Sequence, residues 1–338
     1  LTTDGLDRLA ALWMPGRRLL GVDHAIMGGA MTWVSERNLV AAISNAGGFG
    51  VLACGAMTPD LLSTEIAATK ERTSAPFGVN LITMHPELDA LIDICADHGV
   101  GHVVLAGGLP SLASIRRIKE RGAKVLAFSP ALAFAKRLVR SGVDGVIIEG
   151  MEAGGHIGPV STSILAQEIL HEIADAPIFV AGGIGRGEAV ASYLRMGAAG
   201  VQLGTRFVCA TESVAHPAFK QAFMRANARD AQPSVQLDPR FPVIPVRALV
   251  NRATRDFLDK QKEIIARHDS GELDQKQAQL EIEHFWAGAL RRAVVDGDVV
   301  HGSLMAGQSV GMVMGEQPIA EIIAELVDQA AEALSAES

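Results

Sequence analysis

Between residues 21 and 203, short apolar runs alternate with longer segments whose apolar positions recur every three or four residues. The runs, at 21–27, 49–53, 77–81, 103–106, 124–128, 143–148, 178–181 and 200–203, are too continuously apolar for strands with one wet face. Such runs are expected of buried parallel strands. The intervening segments, 35–46, 61–72, 87–98, 111–121, 131–141, 163–173 and 187–196, carry the helical period. Ser35 is the expected N-cap of the first helix, and Gly47 and Gly48 mark its exit. Eight strand-and-helix units of this kind predict an α/β chain closed into a (β/α)8, or TIM, barrel. An open doubly wound sheet is the alternative. Against it, the first βα turn has no GxGxxG, and the nearest approach, Gly185-Arg186-Gly187-Glu188-Ala189-Val190, ends in valine and comes late.

The alternation stops after Arg206. Pro217, Pro233, Pro239, Pro242 and Pro245 interrupt the chain, and charged helical segments follow at 252–268 and 274–290. This stretch reads as a helical cap inserted late in the barrel. We expect the barrel to consist of 15–211 and 293–338, closed by a helix over 318–334, with 212–292 as the inserted cap.

Composition narrows the function. Hydrophobic residues are 49% of the 338, enough for a large core, and the net charge of -8 argues against a nucleic-acid surface. Cys54, Cys95 and Cys209 form no CxxC pair and are expected to be small buried hydrophobes, with no metal site. No apolar run is long enough to span a bilayer, and the N-terminus lacks a signal-peptide pattern, so no membrane contact and a cytoplasmic location are expected. No HExxH or GxSxG is present.

Candidate chemistry clusters at strand ends. The stretch Val146-Ile147-Ile148-Glu149-Gly150-Met151-Glu152-Ala153-Gly154-Gly155-His156 leaves a strand, turns on glycines and delivers an imidazole to the edge where parallel α/β proteins bind ligands. We read His156 as a general acid or base; a turn histidine satisfied by backbone is the plainer reading. Glu149 and Glu152 are candidates to orient it or to touch a ligand, and solvated loop carboxylates are equally consistent. Two later strand ends, Ala181-Gly182-Gly183-Ile184-Gly185 and Gln202-Leu203-Gly204-Thr205-Arg206, have the side-chain-free backbone of a phosphate cradle. The alternative is that their glycines only make tight turns. His85, His98, His102, His216, His284 and His301 are read as structural or surface residues.

Taken in order, Met27-Gly28-Gly29-Ala30-Met31, Asn45-Ala46-Gly47-Gly48, Pro76-Phe77-Gly78-Val79-Asn80, Glu152-Ala153-Gly154-Gly155-His156, Ala181-Gly182-Gly183-Ile184 and Gly204-Thr205-Arg206-Phe207 resemble the nitronate monooxygenase (2-nitropropane dioxygenase) superfamily. That superfamily includes the FMN-dependent enoyl-ACP reductases of type II. The resemblance implies one noncovalent FMN. Gly28, Gly29 and Asn80 would lie against its ring, with Gly182, Gly183, Gly204 and Thr205 at its phosphate and Gln202 nearby. Glu149, Gly154 and Gly155 are further cofactor contacts implied by position, and His156 matches the catalytic histidine. Met31, Met305 and Gln308 are assigned to the substrate or flavin pocket. Where relatives often have proline and glutamine around the first strand, this chain has His24-Ala25 and Met27. Nitronate oxidation with O2 is the first expectation. The alternative is an NAD(P)H-dependent enoyl thioester reductase, suggested by residues 288–308; a non-catalytic flavin-binding protein comes third. Partners are a small-molecule substrate and, in the assembly, a homodimer.

Overall fold

The computed structural model describes residues 3–55, 57–286 and 288–335. Its strands, in chain order, are β1 (Ile26–Gly28), β2 (Gly50–Ala53), β3 (Phe77–Ile82), β4 (His102–Ala106), β5 (Lys124–Ser129), β6 (Gly145–Glu149), β7 (Gly155–His156), β8 (Ile178–Ala181), β9 (Gly200–Leu203), β10 (Ala231–Pro233) and β11 (Val246–Leu249). Eight of them form one parallel sheet in the order β1-β9-β8-β6-β5-β4-β3-β2. The sheet closes on itself where Met27 bridges Phe49: Gly28 N–H donates to Phe49 O at 2.9 Å and Phe49 N–H to Ile26 O at 2.9 Å. This is the expected TIM barrel. Val79, Leu126, Ile147, Val180 and Val201 are fully buried, so the strands' apolar continuity follows from having no wet face.

The first strand begins later than the apolar run does. Gly21 (φ 74°) caps the helix Met14–Leu20, and His24 N–H donates to Gly47 O, so residues 21–25 form the approach to β1. At the next helix, Arg37–Asn45, the N-cap is Glu36 rather than Ser35: the Glu36 carboxylate accepts from Asn38 N and Leu39 N. Ser35 works one turn earlier, donating to Gly29 O (2.7 Å) and accepting from Met31 N (3.0 Å), which pins the loop after β1.

The final helix, Ile319–Ser335, packs against Gly187–Arg195 and Thr3–Leu12 on the barrel's outside. The approach is so close that a Cβ on Gly187 would stand 2.2 Å from Leu326 O. Helices Arg252–Asp269 and Gln275–His284 enclose a second apolar core of Phe241, Phe257, Ile264, Leu273, Ala278 and Ile282. The single helix expected over 274–290 ends at His284; a new helix, Ala289–Val294, begins after left-handed Gly288 (φ 72°). A small antiparallel sheet in the order β10-β11-β7 joins this region to the loop after β6.

Candidate active site

The C-terminal mouth of the barrel gathers polar groups that the strands deliver in register. Glu149 of β6 and Gln202 of β9 both pair with Ala181 of β8, so the three residues share one face across neighbouring strands. Gln202 is buried, and among the described residues its carboxamide makes no hydrogen bond. Glu149 has no hydrogen-bond or ion-pair partner among them either, and burial pushes its carboxyl from the ordinary 4.5 up to about 7. Asn80, buried in β3, donates from Nδ2 to Val104 O at 3.0 Å.

Beside these groups lie the glycine loops. Gly182 (φ 96°) and Gly183 (φ 74°) take the left-handed conformation that side chains rarely adopt. A Cβ on Gly182 would stand 3.0 Å from Gly150 O, and one on Gly183 would stand 2.9 Å from the Glu152 Cβ. Gly29 N–H donates to Leu203 O, and a Cβ there would meet Gly204 Cα at 3.3 Å, so the first and last barrel loops touch backbone to backbone. A Cβ on Gly204 would meet only Met31, at 3.4 Å from Sδ. Among the described residues the N–H groups of Gly182, Gly183 and Gly204 donate to no loop carbonyl. Thr205 Oγ1 accepts from Gly307 N–H at 2.9 Å, tying the C-terminal segment to the cradle.

His156 is held from above. β7 pairs with β11, Val246 opposite His156 and Arg247 opposite Gly155. Below, the loop rests on residues 305–308: a Cβ on Gly154 would stand 2.6 Å from Gly307 N, and Gln308 N–H donates to Glu152 O. Met305 Sδ lies 3.6 Å from the position of a Cβ on left-handed Gly155. The imidazole is exposed and, among the described residues, makes no hydrogen bond. The protein wall behind it removes water from one side and draws its pKa below the ordinary 6.5.

Neither glutamate orients this ring. Glu152 accepts from Thr162 N–H and Oγ1, both at 2.8 Å, and so anchors the start of the helix Thr162–Ile169. The sequence reading missed Arg247. Its guanidinium is buried and donates from Nε to Met151 O (2.8 Å) and from Nη1 to Ala231 O (2.5 Å), fastening the His156 loop to both outer strands. Its only signal was a cation inside the short apolar run Val246-Arg247-Ala248-Leu249. Arg247→Met leaves two carbonyls short of a donor, so we expect a loss on the order of 3 kcal/mol in urea unfolding. Arg247→Lys, without the fork that reaches both, should recover little of it.

Three of the histidines read as structural have partners elsewhere in the fold. His102 bonds Leu19 O, His98 bonds Ser63 and His216 accepts from Ala218 N. All three cysteines are free and buried, their thiols pushed up to about 12 by loss of water, which suits packing rather than reaction. A cavity of about 580 Å³ lies beside Gly185, Arg206 and Glu325, and neither His156 nor Gln202 lines it. No helix among the described residues is long and apolar enough to cross a membrane. Nor does any cluster of three His, Cys, Asp or Glu among them suit a metal ion.

An eight-stranded parallel barrel with its polar groups and an open imidazole at the C-terminal mouth defines a barrel enzyme. The chain belongs to the nitronate monooxygenase family, whose profile matches residues 16–91 and 87–329. Membership implies an oxidoreductase that uses a flavin. FabK from Thermotoga maritima is 36% identical and superposes with a TM-score of 0.85, covering 95% of this chain and 96% of that one. The (3aS,4S,5R,7aS)-5-hydroxy-7a-methyl-1-oxo-octahydro-1H-indene-4-carboxyl-CoA dehydrogenase of Mycobacterium tuberculosis is 36% identical over 63% of this chain, a match spanning 60% of that protein's length. A nitronate monooxygenase of Paraburkholderia phytofirmans is 28% identical over 91% of this chain and 92% of its own.

Proposed function

We propose that this chain is an FMN-dependent oxidoreductase of acyl thioesters, with His156 as the catalytic group that moves the proton next to the thioester carbonyl. The observation that carries the reading is the imidazole itself: it is exposed at the rim, has no described partner, and is held by a backbone pairing that points to no structural use for the ring. An open rim admits a long substrate from outside. The 36% identity to a CoA-ester dehydrogenase supports the same class.

The mouth fits the cofactor. The carboxamide of Gln202 and the N–H groups of Gly182, Gly183 and Gly204, which have no partner among the described residues, are polar groups that a ligand would satisfy. Gln202, Asn80, Gly28 and Gly29 would hold the ring; Glu149, Gly154 and Gly155 would lie along the chain that leads from it. Gly182, Gly183, Gly204 and Thr205 would take the phosphate. When bound, FMN supplies the redox capacity, accepting or returning electrons. His156, with a pKa held below 6.5, is neutral near pH 7 and accepts the α-proton in oxidation. The same ring, once protonated, returns it in reduction. Arg247 and β11 keep the ring facing the substrate, Met305 backs Gly155, and Met31 and Gln308 border the pocket.

Nitronate oxidation, in which alkyl nitronates and O2 give a carbonyl compound and nitrite, is the second reading. It is supported by the family profile and by a relative matched over nine-tenths of both chains. Anaerobic mixing separates the two while flavin absorbance is followed. On the thioester reading, a saturated acyl-CoA bleaches the flavin, NADPH bleaches it and an added enoyl thioester then restores its colour, and propyl nitronate leaves it oxidised. Bleaching by the nitronate, with no response to either thioester or NADPH, would replace the first reading with the second.

A further inference from the structure

Trp33 stands apart from every other described side chain. It is the one non-glycine residue among them with a left-handed backbone (φ 69°), a conformation that costs free energy in a bulky residue and persists only where its surroundings enforce it. The enforcement is visible: Ser35 Oγ grips Gly29 O and Met31 N, and Val34 N–H donates to Met31 O, so the loop on either side is tied. The indole is 37% exposed. Arg291, from the helix Ala289–Val294, sets its guanidinium carbon 5.8 Å from the centre of the ring. Two residues earlier, Met31 packs on Gly204. The slot of ring and cation therefore stands at the rim of the same mouth, beside the cradle.

We propose that Trp33 and Arg291 form a nucleotide subsite, in which an adenine ring stacks on the indole and a phosphate pairs with the guanidinium. An exposed indole offers a flat apolar face, and a base stacks on such a face whatever its sequence context. A guanidinium half exposed beside it supplies the matching charge for phosphate. Asp296, 3.1 Å from Arg291 Nη1, holds that guanidinium in the absence of an anion and competes with one. The subsite rests on the reading above, because the nucleotide would be the far end of a CoA thioester or of NAD(P)H. The shared chemistry is adenine plus phosphate.

The test uses unreactive probes, so it does not depend on turnover. The FMN-loaded protein is titrated calorimetrically with 3′,5′-ADP, which is the nucleotide end of CoA, with 2′,5′-ADP, and with 5′-ADP. Saturable binding of at least one is expected, with preference for the first identifying CoA and preference for either of the others identifying the nicotinamide nucleotide. Trp33→Gly, which suits the left-handed backbone and removes only the ring, should weaken that binding about tenfold or more. Trp33→Phe should keep most of it. Arg291→Gln should weaken it and flatten its salt dependence, and Asp296→Asn should tighten it. Absence of binding by the parent protein, or an unchanged Kd in Trp33→Gly, would overturn the subsite. Flavin that fails to respond to thioesters, with nucleotide binding and its Trp33 dependence intact, would overturn the substrate reading instead.

Discussion

The His156→Ala protein is expected to bind flavin like its parent and to lose thioester turnover by on the order of 10²- to 10⁴-fold, the range general acid-base groups contribute. Flavin binding should survive because the residues assigned to the cofactor lie on β1, β3, β6 and β9, in the adjoining loops and, for Gly155, in the backbone of β7, which its main-chain pairing with β11 anchors. The pH profile carries the sharper signature. In the oxidative direction only the neutral imidazole accepts a proton, so the parent's rate should fall as pH drops through the histidine pKa, which lies below the ordinary 6.5. The variant should lack that limb. An alanine variant with the parent's acid limb would assign it to another group, Glu149 being the nearest in titration range. On the nitronate reading the loss should instead be small, because an alkyl nitronate has already lost its proton.

Gly204→Val should empty the protein of FMN while leaving the barrel folded. The choice of glycine matters. At Gly183 a side chain meets Glu152 and violates a positive φ, so loss of flavin there would follow from loop distortion alone. At Gly204 a first side-chain carbon meets only the end of Met31, a flexible neighbour, and φ is negative. Any large fall in FMN affinity at this position therefore reports the space the phosphate needs. A drop of about 100-fold by flavin fluorescence titration, with thermal unfolding of the apoprotein nearly unchanged, is the expected result. Parental FMN affinity would move the phosphate elsewhere.

The barrel was legible because burial on both sides writes strands as unbroken apolar runs, and the helices between them keep their period. Boundaries were weaker: Gly21 and His24 look like strand residues by composition, yet Gly21 caps the helix Met14–Leu20 and His24 bonds Gly47, which makes them an approach. The strap of β7, β10 and β11 was invisible. A two-residue strand has no period, and β10 ends in proline, which argues against a strand when seen alone. Site chemistry followed the same division. Positions fixed by a strand end, such as Glu149 and Gln202, could be assigned to the mouth from sequence. The role of Glu152 stayed open between orienting the imidazole, touching a ligand and a solvated loop position, because its acceptor duty to Thr162 is a matter of how the loop folds back. Arg247 went unnoticed for the complementary reason, since a cation in a short run reads as surface until two carbonyls are seen around it.

The second apolar core has a bearing on how such an enzyme diversifies. Phe241, Phe257, Ile264 and Ile282 pack chiefly on one another, so substitutions among them need not be answered by changes in the barrel wall. The histidine proposed as catalytic, by contrast, pairs with β11, whose Leu249 packs into the barrel core. The side chains proposed for chemistry are thus held by one core and the outlying helices by another, so drift in the second core can reshape the outer surface while the proposed site stays under the barrel's own constraint.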